Sequence, residues 1–216
     1  MSGGSRPGQS TVTHLFFDIG GVLGTGGWDT DQRATAARRF ELDEGDFTRR
    51  HQEVAGMLEE GRMTLDEYLD FAVFHTPRSF TRDAFRSFML AQSQPFPETI
   101  ALARSLAETG RYHLMTINNE SAELNALRID RFGLTDIFDA FFSSCWLGVA
   151  KPSRRIYELA LLMSQADPAT SIFIDDRAEN LPPAQALGMH TVLYATPSQL
   201  AADLAALGVH PAGGDV

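Results

Sequence analysis

Polar side chains stand at or just beyond the ends of several apolar runs. Asp18 follows Leu15-Phe16-Phe17, Thr116 follows Leu114-Met115, and Asp175-Asp176 follows Ile172-Phe173-Ile174, while Lys151 sits in the loop Ala150-Lys151-Pro152. A short apolar run closed by a carboxylate reads as a buried strand that delivers its last residue to the carboxyl edge of an open α/β sheet, where such sheets bind ligands. An aspartate can attack an electrophile, a hydroxyl and a fixed cation can hold oxygens that gain charge, and an acidic pair can hold a divalent metal. Those are the parts needed to keep a phosphoryl group beside a metal ion. Singly, each has an ordinary reading: a turn-forming aspartate, a core hydroxyl, a solvated lysine, an acidic cap on the next helix. Their joint presence, in loops after strands, favours the site.

The elements that must position these groups follow from the apolar periodicity. Thr13 to Asp18 is a strand, and Gly20, Gly21, Gly24, Gly26 and Gly27 mark a loop where backbone can approach a ligand closely. Residues 28–92 read as helices only, over Thr30–Phe40, Glu44–Met57, Thr64–Phe74 and Thr81–Ala91, with a capping box predicted from Thr64 and Glu67. Beyond Gln92-Ser93-Gln94-Pro95-Phe96-Pro97 the rhythm becomes helix then strand. Strands are expected at Tyr112–Ile117, Ala140–Ser143, Ser171–Asp175 and His190–Tyr194, with helices from Pro97 to Ala107, Ser121 to Phe132, Ser153 to Met163 and Leu181 to Leu187. Ser198 is expected to cap a last helix running to Leu207. The alternation predicts an α/β fold, a doubly wound parallel sheet of Rossmann-like form, with a helical bundle inserted after its first strand. The expected division is a leader at 1–12, a core at 13–27 and 93–216, and the helical insertion at 28–92.

Composition narrows the function classes. The 216 residues carry 28 acidic and 18 basic side chains, a formal charge of -10, which disfavours a nucleic-acid surface built from clustered lysine and arginine. No stretch reaches the ~20 apolar residues of a membrane span, and no secretory signal is apparent, so a cytoplasmic protein without membrane attachment is expected. The single cysteine, Cys145, rules out an intrachain disulfide and a thiolate-rich metal site; between Phe142 and Trp146 it reads as a structural thiol. The histidines show no metal-ligand spacing, and Arg49-Arg50-His51 reads as a solvated helix face. Oligomeric state is not legible.

Taken in order, Phe17-Asp18-Ile19-Gly20-Gly21-Val22, Met115-Thr116-Ile117-Asn118-Asn119, Ala150-Lys151-Pro152 and Ile174-Asp175-Asp176-Arg177-Ala178-Glu179-Asn180 resemble the four motifs of the haloacid dehalogenase-like hydrolase superfamily across residues 13–208. The insertion at 28–92 is similar to that family's small helical cap. The resemblance implies a magnesium-dependent phosphomonoester hydrolase acting on a small phosphorylated metabolite through an aspartyl-phosphate. Asp18 would be the nucleophile. Thr116, Asn118, Lys151 and the backbone at Ile19 and Gly20 would hold the phosphate. Mg2+ would take Asp18, Asp176 and the Gly20 carbonyl, with Asp175 orienting its water and Asn180 in support.

One position departs from that pattern. Phosphatases of the family usually carry a second aspartate two residues after the nucleophile, where this chain has Gly20. The missing group protonates the leaving oxygen, a role worth about 10²- to 10⁴-fold in rate. Glu59 and Glu60, in the insertion, are candidate carboxylates for it. Two alternatives stay open: a weakly active or non-catalytic phosphate-binding protein, and a metal-free haloacid dehalogenase, which the acidic pair disfavours. A signalling receiver domain uses similar residues in a different order.

Overall fold

The structure, a computed structural model, describes residues 11–212. The leader expected at 1–12 therefore lies mostly outside the described residues, as does the tail from 213 onward. Val12, assigned to that leader, is buried in the core, 5% exposed.

Among the described residues, five strands form one parallel sheet: β1 (His14–Phe17), β2 (His113–Asn118), β3 (Ala140–Ser143), β4 (Ser171–Asp175) and β5 (His190–Leu193), in the order β3-β2-β1-β4-β5. β1 lies at the centre, Phe17 level with Thr116 on one side and with Ile174 on the other. Its near-continuous apolar sequence is what a strand covered on both faces requires. Leu15 and Phe17 join Leu114, Ile172 and Ile174 in one core layer, while Phe16 joins Met115, Ile117 and Phe173 in the other. Pairing this strand with β2 and β4 brings the loops after all three to one edge of the sheet.

Helices α5 (Pro97–Ala107), α6 (Ala122–Arg131), α7 (Ser144–Leu147), α8 (Arg154–Ser164), α9 (Leu181–Gln185) and α10 (Pro197–Ala206) link and flank the strands. α7 was not expected from the sequence. The expected cap of α10 moves: the hydroxyl of Thr196, not Ser198, accepts from Gln199 N–H, because Pro197 takes the first helical position, where its missing N–H costs nothing. β2 also runs one residue past Ile117, a small difference that decides which side chains reach the edge.

Between β1 and α5 stand α1 (Thr30–Arg39), α2 (Glu44–Glu59), α3 (Leu65–Ala72) and α4 (Arg82–Ala91). Asp29, Asp43, Thr64 and Thr81 cap them by accepting backbone N–H groups, and the Thr64–Glu67 capping box is present. These helices bury a core of their own around Trp28, Phe47, Tyr68, Leu69 and Phe85. Such side-chain oxygens, each accepting an otherwise orphaned helix N–H, stabilise a helix by ~1 kcal/mol.

Candidate active site

Four of the expected residues meet at the carboxyl edge of β1 and β4. Asp18, 7% exposed, is anchored by its own N–H donating to Ile174 O (2.8 Å). Its Oδ1 accepts from Ile19 N–H (2.8 Å) and meets Lys151 Nζ at 2.8 Å, while Oδ2 carries no hydrogen bond among the described residues. Lys151 also donates to Asp175 Oδ2 at 2.6 Å. Its buried ammonium thus bridges the two carboxylates. Burial pushes the Asp18 carboxyl up to about 7, with Asp175 and Asp176 adding to the rise and Lys151 opposing it. Burial works against the Lys151 charge too, but Asp18 and Asp175 outweigh it and raise its pKa.

Asp175 has little capacity left. Its oxygens accept from Lys151, from Arg177 N–H (2.8 Å) and from both contacts of Asn180 Nδ2 (3.0 Å each). Asp176 lines the cavity with no side-chain hydrogen bond to another described residue, and its pKa is raised by burial and then by Asp175. One oxygen from each of Asp18, Asp175 and Asp176 lies within 4.8 Å of the others. Three carboxylates facing one ammonium leave excess negative charge, and an all-oxygen donor set of this kind suits a hard divalent cation such as magnesium. Gly20 lines the same cavity.

The second motif is shifted from where the sequence set it. Thr116 does not line the cavity: it is fully buried two residues before the end of β2, level with Phe17 rather than Asp18, and its hydroxyl has no partner among the described residues. Asn118 is also turned away, its amide donating to Asn125 Oδ1 (2.9 Å) and its carbonyl accepting from Ser143 Oγ (2.9 Å). The residue in place is Asn119, which lines the cavity, donates to Lys151 O (2.9 Å) and accepts from Lys151 N–H (2.8 Å). It fixes the loop that presents the ammonium. Ile19 contributes only its backbone, already spent on Asp18.

The helical block forms the opposite wall of a cavity of about 260 Å³, through Trp28, Arg33, His51, Ala55, Leu58 and Glu59. Sequence reading missed most of these. Arg49 and Arg50 do face outward, paired with Asp46. His51, one step further round the helix, turns inward to Tyr68 Oη (3.1 Å), and burial pushes its pKa down to about 4, so it is neutral. Glu60 pairs with Arg62 at 2.6 Å and is not in the cavity. Arg177 donates to Asp29 Oδ2 (2.5 Å), tying the acidic loop to the start of α1. Cys145 is half-buried; burial pushes its thiol up to about 11, as an inert thiol requires.

Gly21 is the glycine this geometry cannot lose. Its φ of +80° is a conformation that side chains disfavour, and a Cβ there would collide with the Asp176 carboxylate. Gly21→Ala is expected to weaken binding of a divalent cation about 10- to 100-fold, the usual cost of disturbing a ligand's support. Titration calorimetry with magnesium checks it, and unchanged affinity would contradict the placement of Asp176.

Comparison with known proteins agrees with this fold. A family model described as haloacid dehalogenase-like hydrolase matches residues 12–188. The sesquiterpene phosphatase astK of Aspergillus oryzae is 33% identical over 96 residues, 44% of this chain and 48% of that protein. The chain thus spans about half or less of the length of the curated relatives it matches. A haloacid dehalogenase family enzyme of Bacteroides thetaiotaomicron, crystallised with magnesium and inorganic phosphate, superposes with a TM-score of 0.71 at 20% identity, over 84% of this chain and 93% of that one. The L-2-haloacid dehalogenase of Xanthobacter autotrophicus, with chloropropionic acid covalently bound, superposes at 0.59 and 18% identity, over 93% and 85%. At such identities both likenesses establish the fold alone. With the family model spanning most of the chain, this protein belongs to the haloacid dehalogenase-like hydrolases.

Proposed function

We propose that the protein is a phosphomonoester hydrolase that works with magnesium and passes through an aspartyl-phosphate on Asp18. The observation that carries this reading is Lys151, held at 2.8 Å from Asp18 and 2.6 Å from Asp175 beside the free carboxylate of Asp176. Asp18 Oδ2 is the unencumbered oxygen and attacks phosphorus, splitting one difficult displacement into two easier ones. Lys151 aligns Asp18, opposes the protonation that burial favours, and shields it from the incoming phosphate. Asp175 and Asn119 hold Lys151 in place. A magnesium ion held by Asp18, Asp176 and the Gly20 carbonyl would supply the charge that lets two anions meet. The helical block acts as a cap that walls off the remainder of the substrate, and about 260 Å³ admits a small phosphorylated metabolite. Among the described residues no helix is long and apolar enough to cross a membrane.

Two other readings separate in one assay. With p-nitrophenyl phosphate and magnesium, the protein is expected to turn over; chelator should stop the reaction and added magnesium restore it. Equal rates for the protein and Asp18→Asn would leave only a phosphate-binding protein, the reading that Gly20 favours. Halide release from a chloro-acid in chelator would instead identify a dehalogenase.

A further inference from the structure

Gly20 leaves the loop of the nucleophile without a carboxyl to protonate the leaving group, and the space beside it is already claimed. A Cβ on Gly20 would lie 3.4 Å from the guanidinium of Arg128, a fully buried arginine that also donates to Thr25 O (2.7 Å). Arg128 in turn meets Glu120 at 3.5 Å. Glu120, 8% exposed, lines the cavity and accepts from Ser121 N–H at 2.9 Å.

A second carboxyl lines the cavity from the cap side. Glu59 closes α2, and one hydroxyl ties it to the Glu120 segment: Glu120 N–H donates to Ser144 Oγ (3.1 Å), and that hydroxyl donates to Glu59 O (2.6 Å). The Glu59 carboxyl itself has no hydrogen bond or ion pair among the described residues. The two acids therefore differ. Glu120 has a guanidinium and an amide N–H that favour its charged form; Glu59 has neither. Resting on the phosphatase reading above, we propose that Glu59 supplies the acid and base that Gly20 lacks, and that Glu120, held against Arg128, is the positioning residue that keeps the proton on Glu59.

The environment agrees. Burial raises the Glu59 pKa first, Glu120 next, and Asp29 adds to the rise, while Arg177 and Arg33 oppose it. Burial also raises Glu120, but Arg128 and the Ser121 amide pull it back. Burial raises both acids, but only Glu120 has a guanidinium and an amide N–H beside it to support its anion, so the proton belongs on Glu59. As the Asp18 oxygen–phosphorus bond forms, the ester P–O bond breaks and its electron pair goes to the leaving oxygen, which takes the proton from Glu59. In the second step the Glu59 carboxylate takes a proton from water, the water oxygen bonds to phosphorus, and the bond to Asp18 breaks, returning phosphate and protonated Glu59.

A series of substituted phenyl phosphates, with magnesium and the full chain, tests this. Glu59→Gln is expected to lose about 10²- to 10⁴-fold on unsubstituted phenyl phosphate. With p-nitrophenyl phosphate, whose leaving group needs no proton, its first turnover should remain close to that of the parent, giving a burst and a steeper dependence on leaving-group basicity. Glu120→Gln should move the alkaline limb of the pH–rate profile to lower pH, because Glu59 then loses its proton more easily; a limb that stays put would remove Glu120 from the proposal. Wild-type dependence in Glu59→Gln, with Asp18→Asn inactive, would overturn Glu59 and leave the phosphatase reading standing. Failure of the parent protein to hydrolyse any ester would overturn both.

Discussion

Asp18→Asn is expected to abolish phosphatase turnover, by on the order of 10⁴-fold or more, as removal of a nucleophile does in other covalent mechanisms. Its stability should move the other way. Burial, reinforced by Asp175 and Asp176 and opposed by Lys151, pushes the Asp18 carboxyl up to about 7. A group whose folded pKa lies above its unfolded value of ~3.9 contributes stability that is complete below that value and is lost as pH rises through the folded pKa. In the metal-free protein the loss therefore grows between about pH 4 and about pH 7. Asparagine has no charge to bury, and Lys151 retains Asp175. Asp18→Asn should thus unfold at higher urea than the parent at pH 8 in chelator, and no later at pH 4. A variant that is both inactive and unstable at pH 8 would mean that Asp18 serves the fold rather than the reaction.

Lys151→Met should have the larger effect on stability and a smaller one on activity. The side chain is 2% exposed and touches Asp18 and Asp175 alone among the carboxylates, at 2.8 and 2.6 Å. Taking one partner from a buried ion pair leaves uncompensated charge and costs about 3–5 kcal/mol. Magnesium should return part of that loss, because it neutralises carboxylates of the same cluster. Activity should fall about 10²- to 10³-fold with the loss of a fixed cation aimed at developing charge. Urea unfolding with magnesium and with chelator checks the first effect. Equal stability of variant and parent in chelator would contradict the buried bridge.

The legible part of this site has a common cause. Asp18, Asp175 and Asp176 end short apolar strands, and such strands advertise themselves because both faces are covered. Lys151 was readable from its place in the Ala150-Lys151-Pro152 loop beyond the strand Ala140–Ser143. The second motif was less so: β2 ends one residue later than expected, and the side chain that lines the cavity is Asn119, just beyond the strand and three residues after Thr116. The helical block posed a different problem. Periodicity found its four helices and the Thr64 capping box, since these depend on local spacing. It could not say that His51 and Glu59 turn inward while Arg49 and Glu60 do not, because that is decided by how α2 docks on the sheet edge. Arg128 was the most hidden. An arginine in α6 reads as helix surface, and its contacts with Thr25, Ser93 and Glu120 explain its complete burial.

Acid quenching of a single turnover of p-nitrophenyl phosphate with magnesium, followed by mass spectrometry of the peptides, is the most direct test of the aspartyl-phosphate. A phosphoryl group on the peptide carrying Asp18, absent after treatment with hydroxylamine and absent from Asp18→Asn, is the predicted result. Phosphate release with the label on a different side chain, or with the same rate and no labelled peptide in Asp18→Asn, would contradict it.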